Sequence, residues 1–360
     1  MRKNIISVIG ARPNFMKMAP IINELKTLKI NNIVVHTGQH YDQKMSEDIL
    51  KDLGFQNPEY FLGAGGGTQV NQIYKIMKKF EKICFKEKPV LVIVAGDVNS
   101  TLACALVAVK MDIKVAHVEA GLRSDDLKMP EEINRILTDR ISDLLFTTEM
   151  NAEKNLIKEG ISPDKIHFVG NCMIDSLVKF ISKAKILEYW NRLGLNRKEY
   201  LLATIHRPSN VDSKNDLCNV VKTLNTISKQ LPIVFPIHPR TRKKIDEFSL
   251  NLNKTITLLE PLSYIPFLSL MSASKIILTD SGGIQEEATF LGVPCITMRE
   301  NTERPITAEI GTNILAGIEY DNIITIFNKI IKKYNFDYKI PPLWDGVAGK
   351  RIVNVIKDSI

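Results

Sequence analysis

The 360-residue sequence lacks the features that mark membrane, disulfide-rich and metal-binding proteins. No apolar run reaches the roughly 20 residues that a membrane-spanning helix needs, and the first residues lead into a strand-like segment instead of a signal-peptide core. HxH and HExxH spacing is missing, so we predict no metal site. CxxC spacing is missing as well, which predicts reduced packing residues at the five cysteines, Cys84, Cys104, Cys172, Cys218 and Cys295. We expect a cytoplasmic protein without a membrane partner.

The overall composition is that of an ordinary globular protein, with 44% hydrophobic and 24% charged residues. A chain of 360 residues is too long for one common core and fits two domains. The net charge is +8, but the sequence contains no known nucleic-acid-binding motif. The most basic cluster, residues 240–244, is typical of a solvated helix start. We therefore expect no nucleic-acid partner.

Short β-branched runs alternate with helical patterns from one end of the chain to the other, which predicts βαβ units and parallel sheets. The predicted strands are 5–9, 33–36, 90–94, 114–118, 144–147 and 166–169, then 200–205, 232–236, 255–259, 275–279 and 293–297. We place one domain at residues 1–170 and a second at 171–345. A last helix, within 346–360, is expected to pack back across a lobe.

Two glycine-containing turns follow predicted strands, where ligands of open parallel sheets bind. Gly10-Ala11-Arg12-Pro13 precedes a helix that carries Lys17, and it fits either a phosphate loop or a structural turn. The second turn, at residues 279–287, places Ser281, Gly282 and Gly283 at a helix start, which favours diphosphate binding over a plain helix cap. Glu287, one turn further, could hold the two ribose hydroxyls.

Three carboxylates lie at or just beyond predicted strand ends of the first domain: Asp97, Glu119 and Glu131. Carboxylates that converge on one cleft suit proton abstraction and donation. Asp97 could instead begin a turn, and Glu131 could complement a helix dipole, whereas Glu119 has no evident structural role. His206 ends a strand of the second domain and could carry a proton, although a lone histidine is more often structural, and the same ambiguity holds for His238 and His40.

The chain resembles the non-hydrolysing UDP-N-acetylglucosamine 2-epimerases almost from end to end. The motifs that carry the resemblance occur in the family's order, at residues 10–20, 37–40, 96–101, 117–124, 130–135, 206–207, 279–287 and 299–305. The resemblance implies an α/β, GT-B-like fold: two Rossmann-type, doubly wound parallel-sheet domains with an interdomain cleft. It also implies a homodimer, and a reaction that needs neither NAD nor a metal.

The resemblance further implies roles for individual residues. UDP is eliminated across C1 and C2 to leave 2-acetamidoglucal and is added back after C2 is protonated from the other face. The positions expected to be catalytic are Asp97, Glu119, Glu131 and His206. The positions expected to hold the UDP-sugar are Arg12, Lys17, Arg135, Ser281, Gly282, Gly283 and Glu287.

Two departures from the family pattern bear on substrate and regulation. Residues 39–42 read Gln-His-Tyr-Asp where members activated by a second UDP-N-acetylglucosamine carry Gln-His-Arg, which argues against such activation. The segment between Arg123 and Glu131 is short, as in relatives that act on UDP-2,3-diacetamido-uronic acids, but residues 302–305 and 206–210 resemble the plain N-acetylglucosamine enzymes. We expect UDP-N-acetylglucosamine as substrate. The alternatives are the uronic acid, a GT-B glycosyltransferase and a non-catalytic nucleotide-sugar sensor.

Overall fold

The fold was analysed in a computed structural model that describes residues 3–39, 58–332 and 337–360. The side chains of Arg12 and Pro13 lie outside this description. The chain forms two compact units, Met1–Lys179 with Pro342–Ile360, and Phe180–Pro341. The domain boundaries drawn at residues 170 and 345 remain sequence predictions, and the two units are described separately below.

The first unit contains a parallel sheet with helices in the connections. Its strands are β1 (Ile5–Ile9), β2 (Asn32–His36), β3 (Tyr60–Phe61), β4 (Leu91–Ala95), β5 (Lys114–Ala120), β6 (Leu144–Thr147) and β7 (Ile166–Phe168). The helices are α1 (Arg12–Thr27), α2 (Gln69–Glu87), α3 (Asn99–Lys110), α4 (Pro130–Ile141), α5 (Met150–Lys158) and α6 (Cys172–Leu187). The strand order is β3-β2-β1-β4-β5-β6-β7, so the order reverses between β1 and β4.

Continuous apolar strands explain why this sheet forms with both faces covered. All five residues of β1 and of β4 are buried, as expected of strands with helices on both sides. Ile6, Val92 and Val94 pack in one core cluster with Phe80 of α2 and Ala105 of α3. This core fixes the carboxyl ends of β1, β4 and β5, which carry the polar residues of interest.

The second unit repeats the architecture. Its strands are β8 (Leu201–Thr204), β9 (Ile233–Pro236), β10 (Ile256–Leu259), β11 (Ile276–Thr279), β12 (Cys295–Thr297) and β13 (Asn313–Leu315). The helices are α7 (Tyr189–Arg192), α8 (Pro208–Val211), α9 (Lys214–Ile227), α10 (Pro239–Glu247), α11 (Tyr264–Ala273), α12 (Gly282–Leu291), α13 (Ile306–Glu309) and α14 (Tyr320–Lys332). The parallel order β10-β9-β8-β11-β12-β13 reverses between β8 and β11.

The last helix, α15 (Ala348–Ser359), belongs to the first unit and packs on α1. Asp175 of α6 accepts hydrogen bonds from the backbone N–H groups of Ala348, at 3.0 Å, and Gly349, at 2.7 Å. A Cβ atom at Gly349 would lie 2.8 Å from Pro20 Cβ, so the glycine allows α15 to approach α1. The C-terminal segment therefore supports the helix that carries Lys17.

Every strand predicted from the sequence corresponds to a strand of the two sheets, and the prediction of two doubly wound parallel-sheet α/β domains is confirmed. The short strands β3 and β13 were not predicted. All five cysteines are free, and Cys218 is partly exposed whereas the other four are buried. Within the ranges given above, no helix is long and apolar enough to cross a membrane.

Candidate active site

In the first unit, the residues at the carboxyl ends of the adjacent strands β4 and β5 lie side by side, next to the reversal of strand order between β1 and β4. Ala95 of β4 pairs with Val118 of β5, so Gly96-Asp97 and Glu119 emerge side by side at the carboxyl ends of the two strands. The Gly96 N–H donates to the Val118 carbonyl at 2.9 Å. Such a reversal point is where open α/β sheets bind ligands.

Glu119 has an unusual backbone and a buried ionic partner. Its φ is +70°, and the register of β5 on β6 shifts between Val118 and Ala120, so the residue forms an irregularity in the strand. A residue held in this region costs about 1–3 kcal/mol, and a bulge of this kind re-aims a side chain. The carboxylate is buried, and its Oε2 lies 2.7 Å from Nζ of Lys17, which is also buried.

Asp97 is anchored by helix α4 and by its own backbone. Its carboxylate forms an ion pair with the Arg135 guanidinium, and its carbonyl accepts from Asn134 Nδ2 at 2.9 Å. A Cβ atom at Gly96 would lie 2.8 Å from Lys17 Nζ, so the ammonium group sits against the turn that carries Asp97. Asp97, Glu119, Lys17 and Arg135 therefore lie in one region of the first unit.

Glu131 and its neighbour Glu132 are in different surroundings on the first turn of α4. Glu131 is exposed, whereas Glu132 is buried. Glu132 accepts hydrogen bonds from the backbone N–H groups of Ser124 and Asp125, each at 3.0 Å to Oε1, and forms an ion pair with Arg135. The sequence interpretation missed this role of Glu132. Arg12 begins α1, but its predicted contact with the UDP-sugar concerns a side chain outside the described residues.

A buried group of three residues, His117, Arg123 and Asp139, adjoins these residues. Asp139 contacts the other two, and it was not identified from the sequence. His117 Nδ1 lies 2.6 Å from Asp139 Oδ1, and His117 Nε2 lies 2.7 Å from the Gly96 carbonyl oxygen. Asp139 Oδ2 accepts from the Gly121 N–H at 3.0 Å and lies 2.7 Å from Arg123 Nη1. Burial by itself would raise the pKa of Asp139, but His117 and Arg123 together hold that pKa below its ordinary value.

In the second unit, His206 and Asp280 follow the adjacent strands β8 and β11. His206 Nδ1 lies 3.0 Å from Asp280 Oδ1, and Asp280 Oδ2 accepts from the N–H groups of His206, at 2.9 Å, and Arg207, at 2.8 Å. Asp280 is fully buried, which alone would raise its pKa, but His206 and these backbone donors lower it. The carboxylate orients the His206 ring, whose side chain is partly exposed.

Helix α12 begins at the glycine pair predicted to hold a diphosphate. Among the described residues, Ser281 occupies the N-cap position of α12, and its hydroxyl oxygen accepts no capping hydrogen bond from the helix backbone. A Cβ atom at Gly282 would lie 2.5 Å from Arg304 Nη1 and 2.6 Å from Glu303 Oε1, so a larger residue there would have to displace these two side chains. The backbone N–H groups of Gly282 and Gly283 form the first turn of a helix, a setting that favours anions.

Glu287 is buried on α12, and its Oε1 accepts a hydrogen bond of 2.7 Å from the Tyr264 hydroxyl. Burial, together with the nearby Glu287 carboxylate, raises the pKa of Tyr264 well above its ordinary value, so the phenol is neutral and donates. Tyr264 was not identified from the sequence, because nothing in its local pattern indicates a partner 23 residues later in the chain.

A buried ionic cluster packs against the start of α12. Glu303 lies between Arg299, at 2.7 Å, and Arg304, at 2.5 Å, and Arg304 Nε lies 3.0 Å from Glu286 Oε1. Burial lowers the pKa of Arg299, which Glu303 partly offsets. The sequence indicated this segment only as a motif, and its structural role depends on packing against Gly282.

Comparison with known proteins identifies the family. A sequence model described as UDP-N-acetylglucosamine 2-epimerase matches residues 23–357. The chain belongs to this family. A UDP-N-acetylglucosamine 2-epimerase of Methanococcus maripaludis is 44% identical over 359 residues, which cover 97% of each chain. A UDP-2,3-diacetamido-2,3-dideoxy-D-glucuronate 2-epimerase of Pseudomonas aeruginosa is 42% identical over 327 residues, 89% of this chain and 90% of that protein.

A crystal structure from the same family has the same fold. The UDP-GlcNAc 2-epimerase of Methanocaldococcus jannaschii, solved in complex with UDP-GlcNAc and UDP, matches with a TM-score of 0.93 and 43% identity over 99% of each chain. The resemblance drawn from the motifs, the GT-B-like fold class and the prediction of an enzyme of this family are thereby confirmed. The roles of individual residues remain predictions. Residues 40–42, on which the regulatory expectation depended, lie outside the described residues.

Proposed function

We propose that this protein interconverts UDP-N-acetylglucosamine and UDP-N-acetylmannosamine by eliminating UDP to leave 2-acetamidoglucal and then adding it back. The observation that carries the proposal is the pair of carboxylates at neighbouring strand ends, Glu119 beside Lys17 and Asp97 beside Arg135. A proton carrier next to a fixed cation suits a reaction in which a proton and an anionic leaving group depart together. The family assignment makes the UDP-sugar the reactant.

The first unit supplies the proton chemistry in this proposal. The proton at C2 of the sugar is not acidic, so its loss must accompany departure of UDP from C1. We assign proton removal and delivery to Asp97, Glu119 and Glu131, two of which are held by buried cations. Lys17 and Arg135, together with Arg12, stabilise the negative charge that develops on the diphosphate. Exclusion of water from the site protects the glycal from hydrolysis.

The second unit binds the nucleotide in this proposal. The first turn of α12, with Ser281, Gly282 and Gly283, holds the diphosphate through backbone N–H groups and the positive helix end. Glu287, fixed by Tyr264, accepts the ribose hydroxyls. His206, oriented by Asp280, donates to the leaving phosphate.

One observation favours a second substrate. The relative from Pseudomonas aeruginosa, a UDP-2,3-diacetamido-2,3-dideoxy-D-glucuronate 2-epimerase, is nearly as similar to this chain as the N-acetylglucosamine enzymes, at 42% against 44% identity. The same elimination chemistry would serve either sugar, since the leaving group and the acetamido group at C2 are shared.

Proton NMR of the protein with each UDP-sugar in D2O tests the proposal. With UDP-N-acetylglucosamine we expect the manno epimer to accumulate with deuterium at C2, and slower turnover of the diacetamido-uronic acid. Faster turnover of the uronic acid would transfer the assignment to that sugar. A protein that binds both sugars without C2 exchange would be a transferase or a sensor, and the proposal would be refuted.

Two wider assignments accompany the proposal. The product supplies N-acetylmannosamine-type sugars for surface polysaccharide synthesis, as the resemblance implies, and the protein is a homodimer. Light scattering of the purified chain, whose mass is 40.6 kDa, tests the second assignment, because a dimer has twice that mass.

A further inference from the structure

His117 is placed so that each ring nitrogen faces an acceptor. The Gly96 carbonyl, 2.7 Å from Nε2, can only accept, and Asp139, 2.6 Å from Nδ1, already accepts from the Gly121 N–H. The Asp139 carboxylate is shared by the His117 ring, the Gly121 N–H and the Arg123 guanidinium. His117 and Asp139 are both fully buried, so their contact is not a solvent-exposed ion pair.

The partners of this pair are backbone groups that flank the proposed acid and base residues. The Gly96 carbonyl belongs to the peptide that leads into Asp97, and Gly96 has a φ of +66°. Gly121 follows Glu119 by two residues and has a φ of +80°. Both turns therefore contain a glycine in the left-handed region. His117 contacts the carbonyl oxygen of Gly96, and Asp139 accepts from the N–H of Gly121.

Asp139 also joins these turns to helix α4. It lies one helical turn after Arg135, whose guanidinium forms an ion pair with Asp97. The Arg123 guanidinium braces Asp139 from the other side and bonds to Glu159 through two contacts of 2.7 Å. Asp139 therefore connects α4 to both turns, directly at Gly121 and through His117 at Gly96.

We propose that His117 and Asp139 are positioning residues that set the distance between the Asp97 and Glu119 carboxylates without touching the substrate. The proposal rests on the proposed function, in which these two carboxylates act on the sugar. Reacting groups need to be placed within a fraction of an ångström, and a 1 Å misplacement can cost about 100-fold in rate. The pair should therefore affect kcat more than nucleotide binding, which we assign mainly to the second unit.

The test compares His117→Ala, His117→Gln and Asp139→Asn with the wild-type protein. His117→Gln can still donate to the Gly96 carbonyl, so it is the conservative variant. Two controls are Ile76→Val, a small deletion in the core of the same unit, and His167→Gln, a partly buried histidine that packs on Phe146. For each protein, kcat and KM are measured with UDP-N-acetylglucosamine. The amount of free UDP released per epimerisation is measured in the same reactions. Calorimetry gives the stoichiometry and the Kd of UDP binding.

We expect His117→Ala and Asp139→Asn to lower kcat about 10- to 100-fold and to raise the share of turnovers that release free UDP. KM and the Kd of UDP should change less than about threefold, and His117→Gln should recover part of kcat. A kcat no lower than in the controls would overturn the proposal. The proposal would also be overturned if kcat, the number of UDP sites per chain and the fraction of folded protein fell together in all three variants, because the pair would then only stabilise the fold.

Crystal structures separate a failure of this proposal from a failure of the proposed function. A wild-type protein that epimerises neither UDP-sugar would refute the proposed function, and the positioning role would then be decided by structure alone. In His117→Ala or His117→Gln, the Asp97 and Glu119 carboxylates should move relative to each other by more than they do in Ile76→Val. Unchanged positions in both variants would refute the positioning role.

Discussion

Glu119 combines a strained backbone with a buried ion pair, a combination that core packing does not require. Its φ of +70° falls where a non-glycine residue is uncommon, and the shift in strand register aims its side chain at Lys17. This conformation costs about 1–3 kcal/mol, and it persists because the surrounding sheet holds the backbone in place. Strain of this kind is concentrated at functional sites, in agreement with the role proposed for this carboxylate.

Glu119→Gln should lower both epimerisation and deuterium incorporation at C2 by about 10²- to 10⁴-fold, because the amide cannot take the proton. The variant also leaves Lys17 without its carboxylate partner, so its folding should be checked by circular dichroism. Glu87→Gln, which removes a carboxylate of the same unit beside Lys86, is the control and should keep full activity. Release of free UDP and glycal by Glu119→Gln would instead show that this residue serves re-addition.

Tyr264→Phe should weaken UDP binding about 2- to 13-fold, because Glu287 loses the hydrogen bond that fixes it and such bonds contribute about 0.5–1.5 kcal/mol. Tyr200→Phe is a matched control, since the Tyr200 hydroxyl is also buried and donates to the Leu270 carbonyl of the same helix α11 at 2.5 Å. Calorimetry should give an unchanged Kd for the control. Equal UDP affinity in Tyr264→Phe and the wild type would rule out a role for Tyr264 in binding.

At the scale of elements, the end of β2 contains a histidine that resists protonation. His36 is buried between Phe15 and Phe61, with ring centroids at 5.3 and 4.9 Å, and its Nδ1 accepts from the Gly38 N–H at 2.9 Å. Burial lowers the pKa of His36 from 6.5 to about 4. The unfolded chain therefore binds more protons than the folded chain between these values.

The free energy of unfolding should consequently fall as the pH drops from 6.5 to 4, by about 3 kcal/mol from this histidine. The stabilisation is complete above pH 6.5 and is lost as the pH passes through the folded-state pKa. His36→Phe keeps the ring stack and removes the titration, so its loss of stability over this range should be smaller. Urea unfolding at pH 7, 5.5 and 4.5 measures both proteins, and identical pH slopes would contradict the assignment.

Adjacent residues on α4 show why elements are easier to predict than contacts. The sequence placed Glu131 at a helix start, which is correct, and it did not show that the adjacent Glu132 is buried against Arg135. Neighbouring helical residues point about 100° apart, and the sequence does not say which of them faces the sheet. The role of Asp139 depends likewise on how α4 packs on β5, a contact between segments distant in the chain.

At the scale of the whole molecule, the two sheets could be predicted because their strands are continuous apolar runs separated by helical patterns. β1 and β4 are examples, since every residue in them is apolar or small and buried. The short strands β3 and β13 were not predicted, because two or three residues are too few to show a periodic pattern of apolar side chains. The motif residues Asp97, Glu119 and Lys17 could be selected as candidates from the sequence, whereas the ion pairs Lys17–Glu119 and Arg135–Asp97 required the fold.

The complete protein should work without NAD or a metal ion, because an elimination and re-addition transfers no hydride and the sequence has neither a dinucleotide fingerprint nor metal-ligand spacing. Epimerisation should be unchanged after treatment with EDTA and after exhaustive removal of nicotinamide nucleotides. The assay follows UDP-N-acetylmannosamine by NMR. Loss of turnover that added metal or NAD restores would contradict the elimination mechanism.

The most direct test of the account is whether the bond between C1 and the diphosphate breaks during turnover. UDP-N-acetylglucosamine carrying 18-O in the bridging position is incubated with the protein in D2O, and the label and C2 deuterium are followed by phosphorus and proton NMR. If UDP leaves in each turnover, the label scrambles into the non-bridging β-phosphate oxygens while deuterium enters at C2 of the product. Deuterium incorporation with the bridging label fully retained would show that UDP never leaves the sugar, and elimination would be disproved.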